Sequence, residues 1–473
     1  MSDPLSFGHA DPRLRRINEK PVAARGDFVV YWMQVFRRAG DNAALAFAVE
    51  RANELGVPCL VYEALRPDCP HASDRLHRFV LEGARDTAAG LAERGIAHAF
   101  FLPRTPDEAR GVMAKLAARA RLVVSDDFPS LVVRSHNARV AQRAPCAFIV
   151  IDDCAVMPMD LMTTPEVGAR TLGPKVTSAL DAWLRPIAEP TPRLRPPSRL
   201  DLPFAALDLA NADARGVSEF VAECAIDHAV PPVDGAPGGS REAERRLAAF
   251  VRGPLSTYDA DHNDPTRDAE SGLSPYLHFG MISARRVALE ARAWGRGAAL
   301  EAFLEQLLVR RALSFNFARS RPDHAEWTAL PAWARATLEK HATDRRYGEI
   351  SLADLEAARS PDDLWNAAMN ELRARGVIQP YARMLWGKLP LLWMSRPQEA
   401  HAALIHLNDK WALDARDPNG YANVSWCFGL HDRPWPERAV FGTVRTMTSD
   451  SARRKLDFEG YIERWNRGVR GGW

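Results

Sequence analysis

Short apolar runs alternate with amphipathic, helix-length stretches through roughly the first 160 residues, and this alternation restricts the fold more than any other feature of the chain. Asp27–Trp32 (DFVVYW), Val57–Tyr62 (VPCLVY), His98–Leu102 (HAFFL), Leu122–Val124 and Ala147–Ile151 (AFIVI) have the continuous apolar character of buried strands. Asn42–Leu55, residues 75–94 and residues 107–120 separate them with helical spacing. Strand–helix alternation predicts a doubly wound parallel sheet with helices on both faces. No G-x-G-x-x-G follows the first strand and no Walker motif occurs, which argues against a dinucleotide or NTP on the usual phosphate loop.

The pattern then changes. PIAEPTPRLRPPSRLDLP (186–203) and AVPPVDGAPGGS (229–240) are proline-rich and punctuate a stretch with little periodicity. Beyond Arg241 the periodicity is helical; Leu300, Phe303, Leu304, Leu307 and Leu308 make one buried stripe. The chain has 473 residues, too many for one core. The expected layout is an α/β domain over 1–185, a linker over 186–240 and an all-helical domain over 241–473.

Charge and cysteine usage narrow the class. The net charge of +2 implies no partner, but residues 281–321 hold eight arginines against three glutamates, a candidate phosphate-binding face. Six scattered cysteines without a C-x-x-C pair argue for a reducing compartment and against a structural metal, and none is expected. The N-terminal MSDPLSFGHADPRLRR lacks an apolar core and no run reaches membrane-span length, so a cytoplasmic protein without a membrane partner is expected.

Three constellations carry candidate chemistry. LNDKWALDARDPNGYANVSWCFGLHD (407–432) mixes acids, arginine and a turn with Trp411, Tyr421, Trp426 and Phe428, too many aromatics for a solvated loop; it reads as the wall of a pocket for a large planar ligand. SGLSP (271–275) puts small residues ahead of a proline-started helix, an arrangement that presents amides and hydroxyls to an anion, although helix capping alone also accounts for it. Trp365 sits on a helix opened by Ser360-Pro361-Asp362-Asp363, read as an N-cap with proline first in the helix. Trp386 and Trp393, seven apart, share a helix face that Pro390 interrupts. Indoles so placed serve a core, or pass electrons to a redox cofactor.

Together SGLSPYLHFG, FLEQLLVRRALSFNF, DDLWNAA, YARMLWGKLPLLW, LNDKWALDARDPNGY and SWCFGLHDRPWPERAVFG resemble the class II cyclobutane pyrimidine dimer photolyases, within the photolyase/cryptochrome superfamily. VVYWMQVFRRAGDNAAL (29–45) and ARTLGPKV (169–176) match the same group, so the resemblance spans nearly the whole chain. It implies FAD in the helical domain and an antenna chromophore of unspecified identity in the α/β domain. Tyr258, Ser271, Gly272, Leu273 and Ser274 would hold the FAD phosphates. Arg383, Asp414, Arg416 and Asp417 would contact its phosphate, ribose or ring portions, with Asn419 near the flavin N5. Trp365, Trp386 and Trp393 would relay electrons from the surface, and Trp426 would stack on a flipped-out dimer. Arg310, Arg311, Arg453, Arg454 and Lys455 would meet DNA phosphates. The implied reaction is light-driven repair: excited reduced FAD gives an electron to the dimer, the cyclobutane ring splits, and the electron returns. The implied partner is UV-damaged DNA and the implied state a monomer.

Several lesion-side positions depart from that family. Gln306 replaces a glutamate held to hydrogen-bond the dimer, Ala312 replaces another glutamate, and Val377-Ile378-Gln379-Pro380 replaces a Lys-Met-His-Gly/Asn run. A glutamine donates through its amide but supplies no proton. The departures keep open a cryptochrome-like blue-light photoreceptor with little or no repair activity.

Overall fold

The computed structural model describes residues 11–129, 131–195, 200–209 and 212–466. Its α/β part is a six-stranded sheet of order β1-β6-β5-β2-β3-β4, with β1 Leu14–Arg16, β2 Phe28–Met33, β3 Cys59–Ala64, β4 Ala97–Phe101, β5 Ala120–Asp126 and β6 Ala147–Ile151. Five strands run parallel and β1 adds antiparallel to β6. Side chains alternate across the pleat. Val29, Tyr31, Val61, Leu122, Val124 and Ile149 therefore face one core, and Phe28, Val30, Leu60, Tyr62, Val123 and Phe148 the other. Burial on both faces is why these strands read as unbroken apolar runs.

The expected strands and helices all form. Asn42 caps the helix Ala43–Leu55 by accepting from the Leu45 amide, and Ser73 caps Asp74–Glu93. The helix expected over 107–120 begins only at Val112, because Gly111 enters it at φ +74. Two elements carried no clear signal: the three-residue β1 and the helix Leu131–Arg143, whose apolar residues are few. The proline-rich 186–240 region is less irregular than expected. It holds the helix Ala214–Ala222, whose Val217 and Val221 pack on Leu81 and Phe100.

The strand order reverses between β2 and β5, the place where open α/β sheets commonly take ligands. Here the chain fills that crevice itself. Buried Asp126 accepts from the Tyr31 hydroxyl at 2.7 Å and from the amides of Gln34, Val35 and Phe36 at 2.8, 2.6 and 3.1 Å. A cavity of only about 10 Å³ remains nearby, against Phe36, Phe128 and Asp153.

The remainder is helical. The sheet face bearing Val29 shares one continuous core with Leu247, Phe250, Phe303 and Leu307 of that part. A second core gathers Trp365, Trp386, Trp393, Leu404 and Phe428. Across the junction, buried Asp153 holds Arg285 at 3.1 Å together with Arg38, and Arg285 also reaches Asp41 at 2.9 Å. Burial works against the Asp153 charge, but Arg285, Arg38 and Arg13 outweigh it and lower the carboxyl pKa.

Removing one member of a buried charge network strands the others in a low-dielectric site, at a cost of about 3–5 kcal/mol. Asp153→Ala is expected to lose that much stability in urea unfolding, and a loss below about 1 kcal/mol would show that the junction does not need the network.

Candidate active site

The DPNG turn builds the centre of the site. Pro418 is the first residue of the helix Pro418–Cys427, and Asp417 is its N-cap. The Asp417 carboxylate accepts from the Asn419 backbone amide at 2.8 Å and side-chain amide at 2.6 Å. It also meets His278 Nδ1 at 2.9 Å, which fastens SGLSPYLHFG to DPNGY. Burial alone would raise this carboxyl. The His278 hydrogen bond, the charge of Arg311 and the Asn419 amide outweigh it and bring the pKa down to about 2.

Around this cap lies a ring of polar groups. Arg383 donates from Nη2 to Asn408 Oδ1 at 2.8 Å and lies 3.9 Å from Asp414. Asp414 Oδ1 is buried without a hydrogen-bond partner, as is Trp386 Nε1. Such orphans are costly unless a ligand completes them. Asp409 accepts from the Tyr421 hydroxyl at 3.0 Å and from the Arg416 amide at 3.1 Å. Arg416 itself takes φ +67 and sends its guanidinium to the Pro70 carbonyl at 2.8 Å, away from Asp414 and Arg383.

Asn419 has its side chain held by Asp417. The amide joined to Arg383 is the fully buried Asn408, which sequence reasoning passed over. His278 and Asp409 were passed over too, and Gln379 was noted only as a departure from the family; the repetition of Asx residues through LNDKWALDARDPNG hinted at Asn408 and Asp409.

SGLSP forms as expected, with Gly272 at φ +63, where a Cβ would lie 3.0 Å from the Arg246 guanidinium. The short helix Ser274–His278 has no side-chain cap, which leaves its first amides free of one. Tyr258 is buried and stacks on His262, whose carbonyl accepts from Gln379 Nε2 at 3.4 Å. Gln379 in turn caps the helix Pro380–Lys388 that carries Arg383. Of the substituted run, Ile378 is buried and Gln379 is a cap, while Pro380 is exposed and starts the helix.

The three tryptophans meet, but not as the sequence suggested. Pro380–Lys388 ends before Pro390, so Trp386 and Trp393 share no helix face. The cap of the helix Asp363–Arg375 is Asp362, one residue after Pro361. Trp365 is the middle ring: it stacks on Trp386 at 6.4 Å and 9°, meets Trp393 edge-on at 5.9 Å, and donates Nε1 to the Trp386 carbonyl at 2.9 Å. All three are buried.

The outer edge holds Trp426 and Met384, 37% and 43% exposed, with exposed Gln306 and half-exposed Arg310. The stripe of leucines breaks here into a π-helical turn, Glu305–Arg310. From it Arg310 points outward over the Trp426 ring at 5.3 Å, while the next residue, Arg311, is buried. Arg311 is buried, donating to the Cys154 and Leu277 carbonyls, so its expected DNA contact is corrected: it belongs to the Asp417 side. Arg453 is paired with Asp363 and Glu459 at the surface. Arg454 and Lys455 are exposed.

Comparison with known proteins agrees with this geometry. The DNA photolyase family model matches residues 29–195. A deoxyribodipyrimidine photo-lyase of Methanothermobacter thermautotrophicus is 36% identical over 461 residues, covering 96% of this chain and 98% of that protein. Among solved structures, a class III photolyase from Agrobacterium tumefaciens superposes with a TM-score of 0.69 at 17% identity, covering 94% of this chain and 88% of the other. A cryptochrome from Synechocystis sp. PCC6803 gives 0.71 at 13%, covering 94% and 90%. At those identities the two structures establish the fold alone.

One titrating group lies beside the SGLS turn. Burial, with help from Glu371 and Asp268, raises the Glu270 carboxyl to about 7. A folded pKa above the unfolded one means stability that is full below about 4.3 and is lost as pH rises through about 7. Glu270→Gln is therefore expected to gain several degrees in Tm over wild type at pH 8 and little at pH 4.5; equal effects at both pH values would refute the assignment.

Proposed function

This chain belongs to the DNA photolyase family, and from that premise we propose that it uses light to split cyclobutane pyrimidine dimers in DNA, as a class II enzyme. The RMLW and DPNGY segments favour that class. The family binds FAD, and the residues present fit it. Buried Asp414 Oδ1 is an unpaired acceptor for a ribose or ring donor, and Arg383 beside it suits an anionic or carbonyl group. Ser271, Gly272 and Ser274 suit a diphosphate. When bound and reduced, FAD supplies the electron that light releases.

The protein's own part is binding, orientation and exclusion of water. Photolyases act on bases turned out of the duplex. Trp426 offers an exposed indole for such a base to stack on, and Met384 extends that apolar edge. Arg454 suits a phosphate contact outside the pocket. The observation that carries the reading is the run Trp386–Trp365–Trp393, three buried indoles in contact, starting one helical turn from Arg383. A core needs their volume but not their contact order, whereas a path for refilling the cofactor with electrons does.

An antenna chromophore in the α/β domain remains part of the proposal, with its chemical identity open. No helix among the described residues is long and apolar enough to cross a membrane.

The deciding experiment is anaerobic illumination of the reduced protein with an oligonucleotide carrying one dimer. Dimer loss is expected under blue light and not in darkness; intact binding without loss would move the protein to the photoreceptor reading. For the relay, Trp365→Phe is expected to slow photoreduction by more than tenfold, since it removes the middle ring, and unchanged photoreduction would remove the relay.

A further inference from the structure

Arg310 stands out among the arginines of the basic helical segment. It is tied by Glu305, whose Oε1 accepts from Nε at 3.1 Å, and its guanidinium lies over the Trp426 indole with Cζ 5.3 Å from the ring centroid. Its side chain is 35% exposed, so it is open to a ligand yet fixed at two points. The π-helical turn Glu305–Arg310 puts it there, next to Gln306 on the same open face. His431 is nearby: burial lowers its pKa and the Arg310 charge adds to that, and Asp432 follows it in the chain. Among the described residues, Glu305 is the one carboxylate paired with Arg310.

A guanidinium stacked on an indole behaves as a flat, permanently charged surface. A phosphate contact needs no such plane. A pyrimidine dimer turned out of the duplex profits from one: although C5 and C6 of both bases are saturated, it presents a broad apolar face and carbonyl oxygens, and on gaining an electron those oxygens become more negative. Gln306 carries an amide and supplies no proton to them, and the one carboxylate of this π-turn, Glu305, is engaged by Arg310.

We propose that Arg310, held by Glu305 and stacked on Trp426, is a lesion-contacting residue that recognises the flipped dimer and offsets its negative charge, rather than a contact to the DNA backbone. This rests on the dimer-splitting reading above. Electrons balance without Arg310: one enters the dimer, the two carbon–carbon bonds between the bases break, and one returns. The guanidinium moves no proton. It stabilises charge where charge develops, which is where a fixed cation is most effective.

The test compares wild type, Arg310→Lys and Arg310→Ala as FAD-loaded full chains. Each is titrated with a fluorescent oligonucleotide carrying one thymine dimer and with its undamaged twin, over a range of salt. A 2-aminopurine opposite the lesion reports extrusion. Both variants are expected to bind undamaged DNA within about twofold of wild type, and to lose roughly tenfold in preference for the dimer with weaker extrusion. Repair per bound dimer is expected to fall in both, because lysine keeps the charge but not the plane.

Equal weakening on both DNAs, with the salt slope reduced by about one, identifies a phosphate contact and overturns the proposal. So does an Arg310→Lys variant that matches wild type, or a wild type without preference for the dimer. A wild type that prefers the dimer but does not repair it overturns the repair reading instead, and the binding measurements then still decide the role of Arg310.

Discussion

Asp417 is the group on which the site depends. One carboxylate caps the helix Pro418–Cys427, fixes Asn419 and grips His278 of the SGLSPYLHFG segment. Motifs separated by well over a hundred residues in the chain are thereby joined in space. An ionised carboxylate with several donors is strong because each bond is charge-assisted. Buried Arg311 adds a counter-charge. The carboxyl remains ionised down to about pH 2, so its links hold throughout the range in which proteins work.

The α/β domain contributes to this site although its functional residues lie elsewhere. Arg75, on the helix Asp74–Glu93, is fully buried and meets no carboxylate among the described residues. Its guanidinium instead donates to the carbonyls of Pro231, Leu372, Trp411 and Arg373. Leu372 and Arg373 close the helix Asp363–Arg375, and Trp411 ends Pro397–Trp411. The cation therefore sits at the negative ends of two helices, where dipoles compensate for the missing anion. Burial still lowers its pKa, to about 10, without discharging it. Those helices carry Trp365 and Asn408, so the docking of the first domain sets the spacing of the second domain's site.

The parallel strands were legible because they are largely buried on both faces; DFVVYW and the Asn42 cap are cases of local signals agreeing with the final structure. The tryptophan contacts were half legible. Composition marked the three residues, but their order depends on Pro390 ending a helix and on the packing of Asp363–Arg375 against Pro380–Lys388, neither of which is a local property. Arg310 and Arg311 were illegible for another reason. A 3.6-residue period cannot show a π-turn, and the sequence alone does not say which of two adjacent arginines is buried. Asn408 was missed because it lies in a stretch whose aromatic residues drew the reading, while its partner Arg383 lies on a separate helix.

The same geometry sets the outer edge around Gln306 and Trp426 apart from the inner ring around Asp417 and Arg383. The helix Pro418–Cys427 reaches both: its first turn is held by Asp417, and its last carbonyls are held by buried Lys388, which donates to Cys427 at 2.6 Å. Trp426 thus projects from an element fixed at both ends. Gln306 is borne by a different element, the π-turn, on an exposed face with none of the Asp417 or Arg383 bonds. A change at 306 alters the electrostatics of the open edge and leaves every hydrogen bond of the inner ring intact. Pro380 keeps the helix start that Gln379 caps, so it too is accommodated without moving Arg383. The inner ring is constrained by mutual hydrogen bonds that the outer edge does not share, so a substitution at the edge leaves the geometry around Asp417 and Arg383 in place.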